Sequence, residues 1–255
     1  MTSNADTVVD QFTRQAEPFA NSAAMRDEDA LRLLVEFSGV GAQDTVLDVA
    51  CGPGLVVAAF AKASRHATGI DLTPAMIDKA REHAASLGLI NVDWHVGNVL
   101  PLPFPDRAFS VVVSRFAFHH FPDPLAVLHE MVRVCRRPGR IVIADIAASD
   151  DPTKAAALNA MERLRDPSHT RALPLAELRG LFAEAGLAAP RETYYDVRAD
   201  LEGLLKTSFP APGDIPVIRK LFEDSLAYDG LGMKTRRKDD RILLSYPIAI
   251  LAADL

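Results

Sequence analysis

The sequence predicts an α/β protein built on one doubly wound, mostly parallel sheet of seven strands, and three observations carry that prediction. Short β-branched apolar runs alternate with helical runs of about ten to fifteen residues, the rhythm of parallel strands joined by helical crossovers. The length of 255 residues suits one large α/β domain. The composition, 49% hydrophobic and 24% charged, provides for a sizeable core and gives no push towards disorder.

Residues 5–38 read as two helices joined near Pro18, with Leu31, Leu34, Val35 and Phe37 as a buried stripe on the second. Thr45 to Val49 (TVLDV) is a short buried strand, followed by the turn CGPG and a helix over 55–63. A second strand covers 66–70. Thr73 and Pro74 then supply an N-cap and first helical position, Met76, Ile77, Ala80, Ala84 and Leu87 an apolar face, and Gly88 a left-handed stop. Strands three and four cover 92–96 and 109–113. Asp123 and Pro124 repeat the cap-plus-proline start of a helix reaching Cys135, and a turn at Pro138 and Gly139 leads into strand five over 140–144.

After residue 150 the rhythm loosens. A helix over 151–165, the polar loop RDPSHTRALP, and a helix over 175–185 come first. A strand over 190–198, helices over 200–208 and 214–228, and a final strand over 241–253 follow, with Pro247 suggesting an edge or a bulge. Three segments result: an N-terminal helical cap (1–43), a core that carries strands one to five (44–148), and a region (149–255) whose lid helices are inserted after strand five and whose last strands complete the same sheet.

The net charge of −6 and pI near 5.6 speak against a nucleic-acid partner, which favours a basic stripe. The one dense basic cluster, Lys234, Arg236, Arg237 and Lys238, runs straight into Asp239 and Asp240 and reads as a solvated turn. The two cysteines, Cys51 and Cys135, share no metal-like spacing, and with no signal-peptide pattern at the start they suit a reducing compartment, the cytoplasm. No apolar run approaches the about 20 residues of a membrane span.

In an open α/β sheet, ligands bind beyond the carboxyl ends of the strands. Strand one ends in Asp48-Val49-Ala50-Cys51-Gly52-Pro53-Gly54, where two glycines let the backbone turn tightly and approach a ligand. A dinucleotide loop needs the G-x-G-x-x-G spacing, but Ala50 holds its first position and Val57 its last. Asp48, just before the turn, would repel a pyrophosphate and suit a cationic ligand. Asp71 ends strand two, 23 positions after Asp48. Its two acceptor oxygens suit a pair of ribose hydroxyls, with Leu72 and Met76 beside the base.

The strings VLDVACGPG, GIDLTPAMIDKAR, GNVLPLPFPDRAFSVVVSRFAFHHFPDP and HEMVRVCRRPGRIVIAD, in this order, resemble class I S-adenosylmethionine-dependent methyltransferases, in particular the ubiquinone/menaquinone-biosynthesis group. The resemblance covers about 44–146 strongly and is specific for fold and cofactor rather than substrate. It implies a Rossmann-like fold, S-adenosyl-L-methionine as cofactor and S-adenosyl-L-homocysteine as product. Asp48, Ala50, Gly52 and Gly54 would then surround the methionine part, Asp71 the ribose, Leu72 the adenine face, and Asn98 and Val99 the adenine edge. Many relatives carry aspartate at the Asn98 position; the carboxamide oxygen can accept the same bond. Ser114 and Arg115 would lie near the methionine end. An N-terminal segment often closes over the cofactor in this group, and Phe12, Gln15 and Phe19 would be its contacts here.

For chemistry, His119 and His120 stand beyond strand four, where this fold places substrate, and a histidine can remove a proton near neutral pH. The bland alternative is that one fixes the loop and the other faces solvent. In the loop 165–171, His169 is a further catalytic candidate, and His169 and Arg171 could close over substrate, Arg171 holding a carboxylate or phenolate; the alternative is a plain surface turn at a helix C-terminus. Asp145, at the end of strand five, reads as a rim residue or a cap. Among the seven histidines there is no H-E-x-x-H pair and no Cys/His cluster, so no metal is expected. The expectation is therefore methyl transfer to a small molecule, quinone-like or otherwise aromatic, with no nucleic acid and no membrane span; a homodimer stays open. The alternatives are a protein that binds the cofactor or a metabolite without turnover, a protein or RNA methyltransferase, and a nicotinamide-dependent dehydrogenase.

Overall fold

A computed structural model describes residues 4–255; residues 1–3, the start of the expected N-terminal cap, lie outside the described residues. Helix α1 (Asn4–Asn21) and helix α2 (Glu28–Ser38) precede the sheet. The expected break at Pro18 is not there: α1 runs through the proline to Asn21, and the joint lies at 22–27, where Asp27 caps α2 by accepting from the backbone N–H groups of Asp29 and Ala30.

The sheet segments are β1 (Thr45–Val49), β2 (His66–Asp71), β3 (Val92–Val96), β4 (Phe109–Arg115), β5 (Cys135–Ile146), β6 (Arg191–Asp200), β7 (Arg236–Lys238) and β8 (Arg241–Asp254). Their order is β3-β2-β1-β4-β5-β8-β6, with β7 paired to β8. The first five run parallel, while β8 is antiparallel to β5 and β6 to β8. Chain order reverses between β1 and β4, which opens a crevice at their carboxyl ends.

Intervening helices are α3 (Leu55–Ala61), α4 (Pro74–Ser86), α5 (Pro124–Val134), α6 (Pro152–Arg165), α7 (Leu175–Glu184), α8 (Leu201–Ser208) and α9 (Ile215–Ser225). Asp123 and Asp151 cap α5 and α6 through their carboxylates, at 2.9 Å to Ala126 N and 2.8 Å to Thr153 N. Thr73 stands at the N-cap position of α4, yet its hydroxyl makes no cap bond; its N–H instead donates to Asp71 Oδ1.

Alternation along the strands covers both faces of the sheet. Leu47, Val49, Val112, Ile141 and Ile143 join one core with Phe182 of α7, while Val46, Val111, Val113, Val142 and Ala144 join another with Phe60 and Ile77. A third core lies under the later helices, built from Leu158, Met161, Ile218, Phe222, Tyr246 and Ile248.

The eighth strand and the place of Pro247 differ from expectation. Arg236–Lys238, read as a turn, is an exposed three-residue strand in a hairpin with β8, and Asp239–Asp240 make the turn. Pro247 is in an interior strand. Its carbonyl accepts from Ala147 N where β5 is ending, so the missing N–H falls where the ladder stops and costs no pairing. Strand β5 also begins earlier than expected, at Cys135, with a register shift before Arg140. Both cysteines are free and buried. Among the described residues no helix is long and apolar enough to cross a membrane.

Candidate active site

The turn after β1 is shaped by its backbone. Ala50, Gly52 and Gly54 all have φ in the left-handed region, at 58°, 52° and 76°. A Cβ on Gly54 would lie 2.6 Å from the Trp94 ring, whereas one on Gly52 would meet nothing within 4 Å. Gly54 is thus required by packing behind the turn, and Gly52 borders open space. Ala50 carries a Cβ in a conformation that costs about 1–2 kcal/mol outside glycine.

Beyond this turn lies a cavity of about 300 Å³. Ala50, Gly52, Asp71, Leu72, Met76, Asn98, Val99 and Arg115 line it from the sheet side, and Phe12 and Phe19 of α1 cover it. Asp71 accepts from Gly52 N with one oxygen and from Thr73 N with the other, both at 2.8 Å. Each carboxylate oxygen keeps acceptor capacity towards the cavity. Asn98 Oδ1 accepts from Leu100 N at 3.0 Å.

Two groups of this region are charged by nature and wholly or partly without partners. Both oxygens of Asp48 are buried without a hydrogen-bond partner. Burial, with the Asp71 charge added, pushes its carboxyl well above the usual range, against the pull of Arg115. Arg115 donates Nε to the Tyr195 hydroxyl and Nη1 to the Met25 carbonyl, both at 3.1 Å, while Nη2 is buried with no partner. Asp48 and Gly54 do not line the cavity themselves. Asp48 lies beneath the loop, and Gly54 packs behind it. Ser114 does not line it either: its hydroxyl donates to the Val49 carbonyl at 2.8 Å and ties β4 to β1.

A second cavity, of about 510 Å³, adjoins the first. Phe12, Phe19, Met25, Phe116 and His120 line both. Phe116 holds a left-handed φ of 58°, rare for a bulky residue; its N–H is anchored on the Ala144 carbonyl, and the Arg115 guanidinium lies over its ring at 4.2 Å.

His119 lines the second cavity. Its Nδ1 lies 2.5 Å from Asp145 Oδ1, and Asp145 also accepts from the backbone of Phe118, His119 and Ile146. Burial lowers the basicity of His119, but Asp145 outweighs it and the net shift is upward. His120 is the opposite case. Burial and the neighbouring His119 push it down to about 4, so the ring is neutral and Nδ1–H donates to the Ser168 carbonyl at 3.1 Å.

His169 and Arg171 are placed otherwise than expected, for neither lines a cavity. Nε2 of His169 bonds Asn159 Oδ1 at 2.8 Å, and burial with the charge of His119 pushes the ring down to about 3. Arg171 pairs with Glu177 on the surface at 2.5 Å. Gln15, an expected cofactor contact, lines the second cavity instead.

Sequence reasoning missed the network behind that cavity. Glu162 Oε2 accepts from Arg165 Nε and Nη2 at 2.9 and 2.6 Å, and Oε1 accepts from the Tyr246 hydroxyl at 2.7 Å. Only the i, i+3 spacing of Glu162 and Arg165 on a helix could have hinted at it. Among the described residues no group of three or more metal-ligating side chains comes together.

Comparison with known proteins accords with this geometry. Residues 46–139 match the family model described as a methyltransferase domain. The chain is similar to YcgJ of Bacillus subtilis, an uncharacterized methyltransferase, at 33% identity over 69% of this chain and 70% of that one. The YcgJ crystal structure superposes with a TM-score of 0.81 at 26% identity, over 89% and 97% of the two chains. Demethylmenaquinone methyltransferase of Listeria monocytogenes is 31% identical over 57% of this chain and 70% of its own. The fold is shared with geranyl diphosphate C-methyltransferase of Streptomyces coelicolor A3(2), solved with Mg2+, geranyl diphosphate and S-adenosyl-L-homocysteine (TM-score 0.64, 21% identity, 89% and 79% covered).

Proposed function

The chain belongs to the class I S-adenosylmethionine-dependent methyltransferases, and we propose that it methylates a small molecule, quinone-like or otherwise aromatic, held in the second cavity. The observation that carries this reading is the shared wall: two cavities meet across Phe12, Phe19, Met25, Phe116 and His120. A cofactor in one thereby faces an acceptor in the other. The second cavity has the size of small-molecule sites, and aromatic and aliphatic side chains form much of its wall. The likeness to a demethylmenaquinone methyltransferase supports an aromatic acceptor. The acidic pI disfavours nucleic acid. Two free buried cysteines support a cytoplasmic setting.

The residues around the first cavity fit the cofactor. Asp71 would accept the ribose hydroxyls, Leu72 and Met76 would flank the adenine, and Asn98 and Val99 would meet its edge. The unpartnered Nη2 of Arg115 suits the amino-acid carboxylate, and the unpaired Asp48 beneath the loop favours a ligand that carries positive charge. The open side of Gly52 leaves room for the chain between them. When bound, S-adenosylmethionine supplies a methyl group on a positively charged sulfur, open to in-line displacement.

The protein's own task is then to align and to exclude water, which can account for about 7–11 kcal/mol of the barrier. Phe12 and Phe19 close both cavities from above. His119, oriented by Asp145 so that Nε2 is its free nitrogen, is placed to take a proton from the acceptor. His120, neutral and fixed by Ser168, offers Nε2 as a hydrogen-bond acceptor at the junction.

Calorimetry tests the reading. S-adenosylhomocysteine is expected to bind saturably and NAD not at all; tight NAD binding with no heat from the nucleoside would overturn it. Release of S-adenosylhomocysteine on addition of a reduced quinone or phenolic acceptor tests the transfer itself.

A further inference from the structure

Charged groups around the second cavity are engaged with one another before any ligand enters. Arg165 lines it with a side chain only 12% exposed. That guanidinium directs Nε and Nη2 to Glu162 and Nη1 to the Ser208 hydroxyl at 2.9 Å, and Nη2 lies 3.9 Å from Asp166 Oδ2. Glu162 is fully buried and takes a further bond from Tyr246. Asp166 accepts from the backbone and hydroxyl of Ser168. Asp200 accepts from Gly203 N as the cap of α8, and Arg198 is an exposed residue on the wall. His119 is coupled to Asp145. Around this space Glu162, Asp166 and Asp200 stand against Arg165 and Arg198, and no deeply placed cation is left for a ligand.

We infer that the second cavity selects an uncharged, largely apolar acceptor and rejects carboxylates and phosphates, because its buried guanidinium already holds a carboxylate of the protein. A ligand anion there would meet Asp166 on the wall, with the Glu162 charge behind Arg165, and no free cation to offset the water it gives up. A neutral hydroxyl can still reach His119, His120 and the amide of Gln15, while Phe12, Phe19, Met25, Phe116, Val197 and Ile248 take the apolar body. Selectivity against charge thus comes from within the wall, as repulsion, rather than from a contact with the preferred molecule. This inference rests on the assignment of the second cavity to the acceptor.

Three probes sharing one ring system test it: 2-naphthol, 2-naphthoate and 2-naphthyl phosphate, titrated calorimetrically at neutral pH into protein saturated with S-adenosylhomocysteine. Naphthol is expected to bind at least tenfold tighter than either anion. Equal or tighter binding of an anion, or no binding of naphthol, would overturn the inference. Glu162→Gln keeps an acceptor for Arg165, turns a donor NH2 towards the Tyr246 oxygen and removes the charge, so naphthoate should gain at least tenfold relative to naphthol. Asp166→Asn, on the cavity wall, should move the ratio the same way by less, and it decides the matter if Glu162→Gln does not fold. An unchanged ratio in the folded variants counts against the inference. If S-adenosylhomocysteine itself fails to bind, the methyltransferase reading falls, and the same probes on the free protein still decide the charge preference.

Discussion

The two cavities share a wall but treat their charged groups in opposite ways. Around the first, Asp48 keeps both oxygens unpaired and Arg115 keeps one nitrogen unpaired. Around the second, Arg165, Glu162 and Asp166 are joined to partners within the protein. A buried charge left without a partner is costly, so its persistence marks a place where a ligand of complementary charge belongs. A network closed upon itself marks a place where the ligand brings no charge. The first cavity is thus prepared for a zwitterionic nucleoside and the second for a molecule recognised by shape.

Acid provides the strongest way to break this comparison, because His120 on the wall of the second cavity and His169 beside it are held neutral by burial. His120 titrates at about 4 and His169 at about 3 in the folded protein, against an ordinary value near 6.5. Between those limits the unfolded chain binds more protons than the folded one, so stability falls as pH drops from about 6.5 towards 4. The loss is on the order of 3 kcal/mol for each histidine. Chemical denaturation at pH 7, 5.5 and 4.5 checks the sign. His120→Gln, uncharged throughout, should flatten the slope; a midpoint as high at pH 4.5 as at pH 7 would contradict the burial argument.

Asp71 offers the next effect. Asp71→Ala removes both acceptors facing the first cavity and the anchors of Gly52 and Thr73. Bonds to a charged acceptor contribute about 1.5–3 kcal/mol each, so affinity for S-adenosylhomocysteine should fall roughly 100-fold while naphthol binding in the second cavity changes little. Equal loss at both cavities would mean that the two are one structural unit and the contrast between them is false.

Asp48→Asn sharpens the contrast further, because stability and affinity should move in opposite directions. Its carboxyl is raised by burial and by Asp71, and a group whose folded pKa is raised destabilises the fold as pH rises above the ordinary carboxylate range. The amide should therefore raise the melting temperature of the free protein at pH 7 by a few degrees, as about 1 kcal/mol does in a chain of this size. It should weaken nucleoside binding by about tenfold, since the charge opposite the cationic end is gone.

How much of this was legible follows the same division. The first cavity is written locally: the turn at 50–54 and Asp71 at a strand end each follow from one short stretch of sequence, and Asn98 after the next strand follows from the family resemblance. Strand ends in a parallel sheet converge on one rim, so local signals suffice. The second cavity joins residues from α1, the β4 rim, α6, α8, β6 and β8. No spacing announces that Glu162 meets Tyr246, 84 positions away, or that His119 meets Asp145 rather than a helix end. His169 and Arg171 looked functional because polar residues in a loop after a strand do so by type. Burial against Asn159 and pairing with Glu177 are tertiary facts that composition does not encode.

Ala50 supplies the finest test, on the one point where local signal and conformation disagree. The first position of the turn has φ 58° and carries alanine, where glycine would adopt that angle freely. Ala50→Gly removes about 1–2 kcal/mol of steric strain and returns part of it as extra freedom in the unfolded chain. The net gain should be under about 1 kcal/mol, read as a rise in melting temperature of a few degrees at most. Affinity for S-adenosylhomocysteine is the more telling readout. Ala50 lines the first cavity and packs partly against the core of Leu47 and Val49, so the methyl group helps hold the turn in place. If the glycine variant is more stable yet binds the nucleoside less tightly, the alanine is kept for the rigidity it gives an unpaired, charge-bearing pocket. If both rise together, the strain serves nothing at this site, and the preparation of the first cavity lies in Asp48, Asp71 and Arg115 alone.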